Sequence, residues 1–378
     1  MCYTLTPSFS VDLPSELWLE IIELISNRSA LCRLMQVNRK LCALTEGVLY
    51  GNVSLHWGAE VTQFRLSMRS CPRRAGLVAS ISFLASGTHD ELIFDILPSP
   101  LGTLRNLQHL VVEQNREVVI GAPFTAIAGV RLPLLRSFAA DMRVNQKDLL
   151  AFVVAHDRLR EIDMRYSYIF PDDSQHAQVI PHPSLQILTC RTPLLSSQTP
   201  VPTNLTHFYR PYLLSRQLPG IVALLGPQLV SLRVGECFLI ERSSPWSLLD
   251  VVTNFPRLRF FHVEMFHTSL PSLGTTLVDW FRDRQASRVL IARPKIVLAW
   301  TNKQQFLRTE KQEIEWDQYV DKVAVRVLTE WDNYIERIIY RHSARPYNSV
   351  TLDAAGGMGG QLVKAEDTDM RDDYWKHV

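Results

Sequence analysis

Apolar residues open the chain at helical spacing. Leu17, Trp18, Ile21, Ile22, Leu24 and Ile25 fall on one broad face. The pattern predicts a helix that starts within Leu13-Pro14-Ser15-Glu16. Asp12 is its expected cap, and Pro14 takes the first helical position, where a missing N–H costs nothing. Asn27 to Ser29 interrupt the pattern. A second apolar run follows at Leu31, Leu34, Met35 and Val37, and a third at Leu41, Leu44, Val48, Leu49 and Tyr50. Three short helices are therefore expected within residues 10–55. So small a unit cannot bury this much apolar surface in a core of its own. The surplus must meet either the rest of the chain or a second protein.

From about residue 75 the period changes. Segments of the form L-x-x-L-x-V recur every 20–29 residues, the spacing of leucine-rich repeats. Their apolar positions are Val78-Ile81-Phe83, Leu107-Leu110-Val112, Leu135-Phe138-Ala140, Leu159-Ile162-Met164, Leu185-Leu188-Cys190, Leu205-Phe208, Leu229-Leu232-Val234 and Leu258-Phe261-Val263. The first residue of each lies at the turn into a strand, and the alternating pair buries one face. Between them, residues 146–156, 218–226 and 244–255 carry helical spacing. One strand and one helix cannot enclose a core alone, but stacked neighbours can. The expected fold class is α/β: a three-helix head, then a solenoid over residues 75–300 whose parallel strands line a concave sheet. The repeats are degenerate. The Asn or Cys that often follows such strands is mostly missing, and the Leu205 repeat ends in Arg210. Residues 165–184 and 192–202 are expected as longer edge loops.

Residues 287–291 and 295–300 are expected as final strands, with a helix before them at 278–281. Ile314, Tyr319, Val323, Val327, Trp331, Tyr334, Ile335 and Ile338 recur at near-helical spacing. Residues 305–345 are thus expected as a helical cap on the open end of the array. Residues 350–378, with GGMGG and EDTDMRDD, are expected as a mobile tail.

Composition narrows the function classes. With 378 residues the chain exceeds one compact core. Hydrophobic residues make up 46% and charged residues 21%, a balance that folds. A net charge of +2 gives no bias toward nucleic acid or an anionic membrane. The six cysteines form no CxxC pair and read as free thiols in a reducing compartment, with Cys32 and Cys42 buried on the head helices. The first ten residues do not read as a secretory signal, and no run of about 18 apolar residues occurs. The expected location is the cytoplasm or nucleus, and the sequons at Asn27, Asn52 and Asn204 carry no expected meaning.

Candidate chemistry is sparse. No GxxxxGK[ST], GxGxxG after a strand, HExxH or GxSxG is present, so no enzyme, catalytic residue, cofactor or metal site is expected. His176 and His182 with Asp172 and Asp173 match no metal-ligand spacing. Glu310, Glu313, Glu315 and Asp317 alternate with lysines as a solvated helix face does. Phe260, Phe261 and Phe266 are expected in the core. Phe208, Tyr209, Arg210 and Tyr212 are the candidates for an outward-facing target surface, since Tyr and Arg favour binding hot spots.

The stretch LPSELWLEIIELI followed by LCRLMQVNRKLCALTEGVLYGNV resembles an F-box. Leu13, Pro14, Glu16, Leu17, Ile21, Ile22, Leu31, Leu34, Val37, Arg39, Leu44 and Tyr50 fall on positions of that family's pattern. The resemblance covers about 45 residues, and the degenerate repeats after it are similar to those of fungal F-box proteins. The polar Asn27-Arg28-Ser29 junction departs from the pattern, where many members carry Pro or Asp. The resemblance implies docking on the Skp-type adaptor of a cullin–RING ubiquitin ligase through Leu13, Pro14, Leu17, Ile21, Leu34 and Val37. It also implies that the repeats hold an unknown target protein, as in a substrate-recognition subunit of an SCF-type ligase. The alternative is an interaction scaffold of the same shape without a ligase role, its head only capping the repeats.

Overall fold

The computed structural model describes residues 13–56, 58–85, 98–114, 124–165, 167–170, 182–190, 204–211, 213, 217–235, 248–265, 295–302, 310–331, 334–342, 347–353, 361–367 and 374–377. The chain divides into two compact units, Met1–Arg136 and Ser137–Val378.

The first unit opens with three helices, α1 (Ser15–Glu23), α2 (Arg28–Leu34) and α3 (Arg39–Gly51). Pro14 is the N-cap of α1 instead of its first residue, so the helix begins one residue later than expected, and the expected cap Asp12 lies outside the described residues. The Asn27 break is itself a cap: its carboxamide accepts from the Ser29 and Ala30 N–H groups at 2.9 and 3.3 Å. Asn38 does the same for α3, accepting from Leu41 N at 2.8 Å. Replacing Asn38 with alanine should cost about 1 kcal/mol of stability, and Asn38→Asp should cost far less, as read by denaturant titration.

Ile22, Leu31 and Leu41 form the centre of this head, with Trp18, Ile25, Leu34, Leu44, Val48 and Leu49 packed around them. Two short helices follow, α4 (Gly58–Ser70) and α5 (Pro72–Ala75). They hold α3 by its C-terminal half. Buried Glu46 accepts from Arg74 Nε at 3.1 Å and pairs with Arg73. The Tyr50 and Ser67 hydroxyls lie 3.1 Å apart, and the Arg74 guanidinium sits 5.2 Å above the Tyr50 ring. Strand β1 (Asn52–Leu55), unexpected from the pattern, leaves α3 directly and pairs in parallel with β2 (Ser80–Ala85). That strand pairs with β3 (His109–Gln114), which puts Val53, Ile81 and Leu110 in one row.

The second unit is a long sheet with helices on one face. Its strands are neighbours in the order β4 (Ser137–Asp141), β6 (Glu161–Met164), β8 (Ile187–Cys190), β9 (His207–Arg210), β10 (Ser231–Val234), β11 (Phe260–Met265), β12 (Ile296–Asn302) and β13 (Ile335–His342). Each neighbouring pair among them is parallel. Two antiparallel strands, β14 (Tyr347–Asp353) and β15 (Gln361–Asp367), end the sheet. A separate parallel pair, β5 (Arg143–Asn145) and β7 (Tyr168–Phe170), lies outside it.

All eight L-x-x-L-x-V segments become parallel strands, each beginning two residues after the first apolar position. Their middle residues align in register as Phe138, Ile162, Leu188, Phe208, Leu232 and Phe261, continued by Leu298 and Ile338. Every one of them is buried. At several strand entries the register is held by a carbonyl that accepts twice. Arg160 O takes the Gln186 and Ile187 N–H groups at 2.8 and 3.0 Å, and Thr206 O takes those of Val230 and Ser231 at 2.8 and 3.0 Å. Asn204, read only as a sequon, donates from its carboxamide to Pro183 O at 2.5 Å and ties two successive turns together. Gly235 passes so close to Pro211 that a Cβ would stand 1.6 Å from its carbonyl oxygen, so no larger residue fits after β10.

The row of middle residues faces the helices. Phe138 lies 4.8 Å, centroid to centroid, from Phe152 on α8 (Gln146–Val154), counted after α6 (Pro98–Leu101) and α7 (Phe124–Ala128). Helices α9 (Leu218–Leu225), α10 (Leu248–Asn254) and α11 (Glu310–Glu330) complete the described set. Tyr340, in the row next to Ile338, donates its hydroxyl proton to Asp321 of α11.

Three expectations fail here. Residues 305–345 do not form a cap: α11 is followed by β13 inside the sheet, because Arg337 and Ile339 alternate with Ile338 and Tyr340 at period two. Residues 350–378 are not a mobile tail throughout. Two strands and a turn at Tyr374–Lys376 occupy them, and Trp375 is buried. Cys32 is exposed and Cys42 half-buried, since the head core is filled by Ile22, Leu31 and Leu41 instead. The stretches 192–202, 278–281 and 287–291, with Phe266, His176, Asp172 and Asp173, lie outside the described residues.

Candidate functional site

The head presents an apolar stripe to solvent. Leu17, Ile21 and Leu24 follow one another at four- and three-residue spacing and are 43%, 44% and 84% exposed. Val37, just beyond α2, is 65% exposed. Of the other expected adaptor contacts, Pro14 is exposed, while Leu13 and Leu34 are half-buried. Lys40 fixes the entry to α1 by donating to Leu13 O at 3.1 Å. The stripe follows from local geometry. Ile22 points into the head, so the residues beside it on the helix cannot.

The second surface is the sheet face opposite the helices. Two rows run across it. One reads Glu161, Ile187, His207, Ser231, Phe260, Val297 and Arg337. The other reads Asp163, Thr189, Tyr209, Arg233, His262, Ala299 and Ile339. Unlike the helix-facing rows, these are rich in polar side chains, and several are nonetheless buried.

A charged network sits at the middle of this face. Glu264 accepts from Arg233 Nε at 2.8 Å and from the Tyr209 hydroxyl at 2.6 Å. A second contact joins Arg233 Nη2 to the same carboxylate. The Arg233 guanidinium lies 4.5 Å above the Tyr209 ring, and Arg165, paired with Asp163 at 2.7 Å, lies 5.7 Å from it. Burial pushes the Tyr209 phenol up, and the Glu264 charge pushes it further. Burial pulls the Arg233 guanidinium down, but Glu264 and Tyr209 more than offset it, and the net shift is upward. The cluster therefore holds its charges as an ion pair with a neutral phenol. His262 adds a contact from Nε2 to Thr301 Oγ1 at 3.0 Å.

The turn Tyr374–Lys376 closes over part of this face. Trp375 lies among Tyr209, Phe260, Val297, Ala299 and Ile339. Its ring meets Tyr209 edge-on at 5.9 Å and His207 at 6.3 Å. The Tyr374 ring is 5.5 Å from Phe260, and its hydroxyl accepts from Arg337 Nη2 at 3.0 Å. Lys376 pairs with Glu161.

Under this turn His207 is half-buried. Burial, with the nearby His377 charge second, lowers its pKa to about 4. Thr206 Oγ1 is 2.8 Å from its Nδ1. The folded chain thus binds this proton less readily than the unfolded chain, whose His titrates near 6.5. The stability tied to neutral His207 should be complete above pH 6.5 and fall as pH drops toward 4. His207→Gln should flatten that limb of a stability–pH curve.

The expected target surface does not face outward. Phe208, Tyr209 and Arg210 are all buried, and Tyr212 lies outside the described residues. The reason is topological. β9 is central, so Phe208 and Arg210 point toward the helix side while Tyr209 lies under Trp375. Burial lowers the Arg210 pKa, and its Nε has no hydrogen-bond partner among the described residues. His182, the described member of the weak metal candidate, is buried with its pKa lowered by desolvation. No group of three potential metal ligands occurs among the described residues.

Comparison leaves the family open. No family model matches the chain, and no curated protein matches it. Among solved structures it is similar to a chain of the mouse RP105/MD-1 complex, at 13% identity and a TM-score of 0.34. That match covers 63% of this chain and 37% of the other. The α/β architecture with its long parallel sheet rests on the strand register itself. Among the described residues no helix is long and apolar enough to cross a membrane.

The sequence pattern missed the Tyr209–Arg233–Glu264 network. A signal was available: the x of L-x-V must lie on the sheet face opposite the leucines, and Arg233 and His262 occupy that position. Trp375 had no such signal, because the sequence around it, RDDYWKHV, is largely polar and carries no repeat spacing.

Proposed function

We propose that the chain is a substrate-recognition subunit of an SCF-type ubiquitin ligase, with an F-box head and a degenerate leucine-rich-repeat array. The head docks on a Skp-type adaptor and through it on the cullin, and the repeats hold a target protein. No chemistry is needed in this chain. Holding a target lysine near a ubiquitin-charged enzyme raises its effective concentration, and proximity supplies the rate.

The observation that carries the reading is the division of labour in the head. Ile22, Leu31 and Leu41 complete its core, while Leu17, Ile21 and Val37 remain exposed. Burying such side chains against a partner contributes about 1.5–3 kcal/mol each before association costs. The second reading, an interaction scaffold without a ligase role, draws on the contacts of α3 with Arg74 and Ser67, which already fix the head to its own unit. Calorimetric titration of the purified chain with a Skp-type adaptor separates the two. A one-to-one complex is expected, and a folded chain that takes no adaptor leaves the scaffold.

A further inference from the structure

The two faces of the second unit's sheet are covered in different ways. The helix-facing side meets α8 and α11 along rows of Phe, Leu and Ile. The other side carries a mixed surface of Glu, His, Tyr, Arg and Thr, and among the described residues a turn of three, Tyr374–Lys376, lies on it. A backbone bond from His377 N to Tyr374 O at 2.9 Å closes the turn on itself. Its hold on the sheet comes through side chains: one indole in an apolar seat, one phenol oxygen taking a proton from Arg337, and one ammonium on Glu161. A central aromatic anchor with charged contacts at its rim is the anatomy of a protein–peptide interface.

We propose that this seat is the chain's peptide-binding site, and that Tyr374-Trp375-Lys376 is its tethered occupant. The ligand in trans is a protein segment with an exposed aromatic residue followed by a lysine. The indole fills the space between Tyr209, Phe260 and Ile339, and the lysine reaches Glu161. The buried Arg233–Glu264 pair fixes Tyr209 and so gives the seat a rigid wall. A tethered occupant acts at an effective concentration in the millimolar range, so a free peptide must outcompete it or wait for its release. This deepens the target-binding half of the reading above and rests on it.

The test uses the full-length chain and a labelled peptide of its own sequence, RDDYWKHV. Fluorescence anisotropy compares wild type with Tyr374→Ala/Trp375→Ala, and the peptide with a version carrying Ala for Trp. The double variant should keep a cooperative thermal melt and bind the peptide at least tenfold more tightly than wild type. The Trp-less peptide should not bind, and Glu161→Lys in the double variant should weaken binding. A variant that loses its cooperative melt makes Trp375 a piece of the core and overturns the proposal. So does a folded variant that ignores the peptide up to millimolar concentration. Adaptor titration of the same samples reports on the head alone, so failure of the seat and failure of the ligase reading remain distinguishable.

Discussion

Replacing Glu264 with alanine should destabilise the unit spanning residues 137–378 by about 3–5 kcal/mol, the cost of leaving a buried charge without its partner. The Glu264 and Arg233 side chains are each 2% exposed. Without the carboxylate, Arg233 keeps its position over the Tyr209 ring at 4.5 Å, but a ring face cannot replace a paired anion. Tyr209 also loses the acceptor of its hydroxyl proton. The melting temperature should fall on the order of 10 °C. Glu264→Gln should lose less, because the amide oxygen still accepts. The combination Arg233→Met/Glu264→Leu should recover most of the loss, since a well-packed apolar pair can match a buried ion pair. A Glu264→Ala variant that melts with wild type would mean that water reaches the pair and that the network is not a structural wall.

The second large effect is on binding. Ile21→Asp/Val37→Asp should lower affinity for a Skp-type adaptor by more than 100-fold while leaving the melt unchanged. Both residues are exposed in the chain alone, so charging them costs the fold little. In a complex each would lose its burial and add a carboxylate to an apolar interface. Together these exceed the 2.7–2.8 kcal/mol that about 100-fold represents. Ile22→Ala should behave in the opposite way, since Ile22 is fully buried. It should cost about 2–5 kcal/mol of stability and affect binding only through unfolding of the head. Equal adaptor binding by wild type and Ile21→Asp/Val37→Asp would remove this stripe from the interface and leave the scaffold reading.

The parts that were legible share a cause. A strand buried on one side must alternate, and a helix against a sheet must repeat every three to four residues. Local spacing therefore located the three head helices and all eight repeat strands. The failures share a cause too. Ile335, Ile338 and Ile339 have helical spacing over so short a run, and pairing with the neighbouring strands made the segment a strand. Tyr209 and Arg210 looked exposed because their side-chain types favour surfaces. Their burial came from what the chain later folds over or under them.

By itself the sequence determined where the eight repeat strands begin, which of their residues form the buried apolar row, and that the head carries more apolar surface than it can bury. These are properties of periodicity, and a few residues suffice to express each. Only the tertiary structure decided which head residues stay exposed, that Arg233 meets Glu264, and that Trp375 returns to lie on Tyr209. Those two contacts join residues 31 and 166 positions apart. No local spacing encodes such pairings, because they depend on how strands stack in register and on which face each side chain then shares.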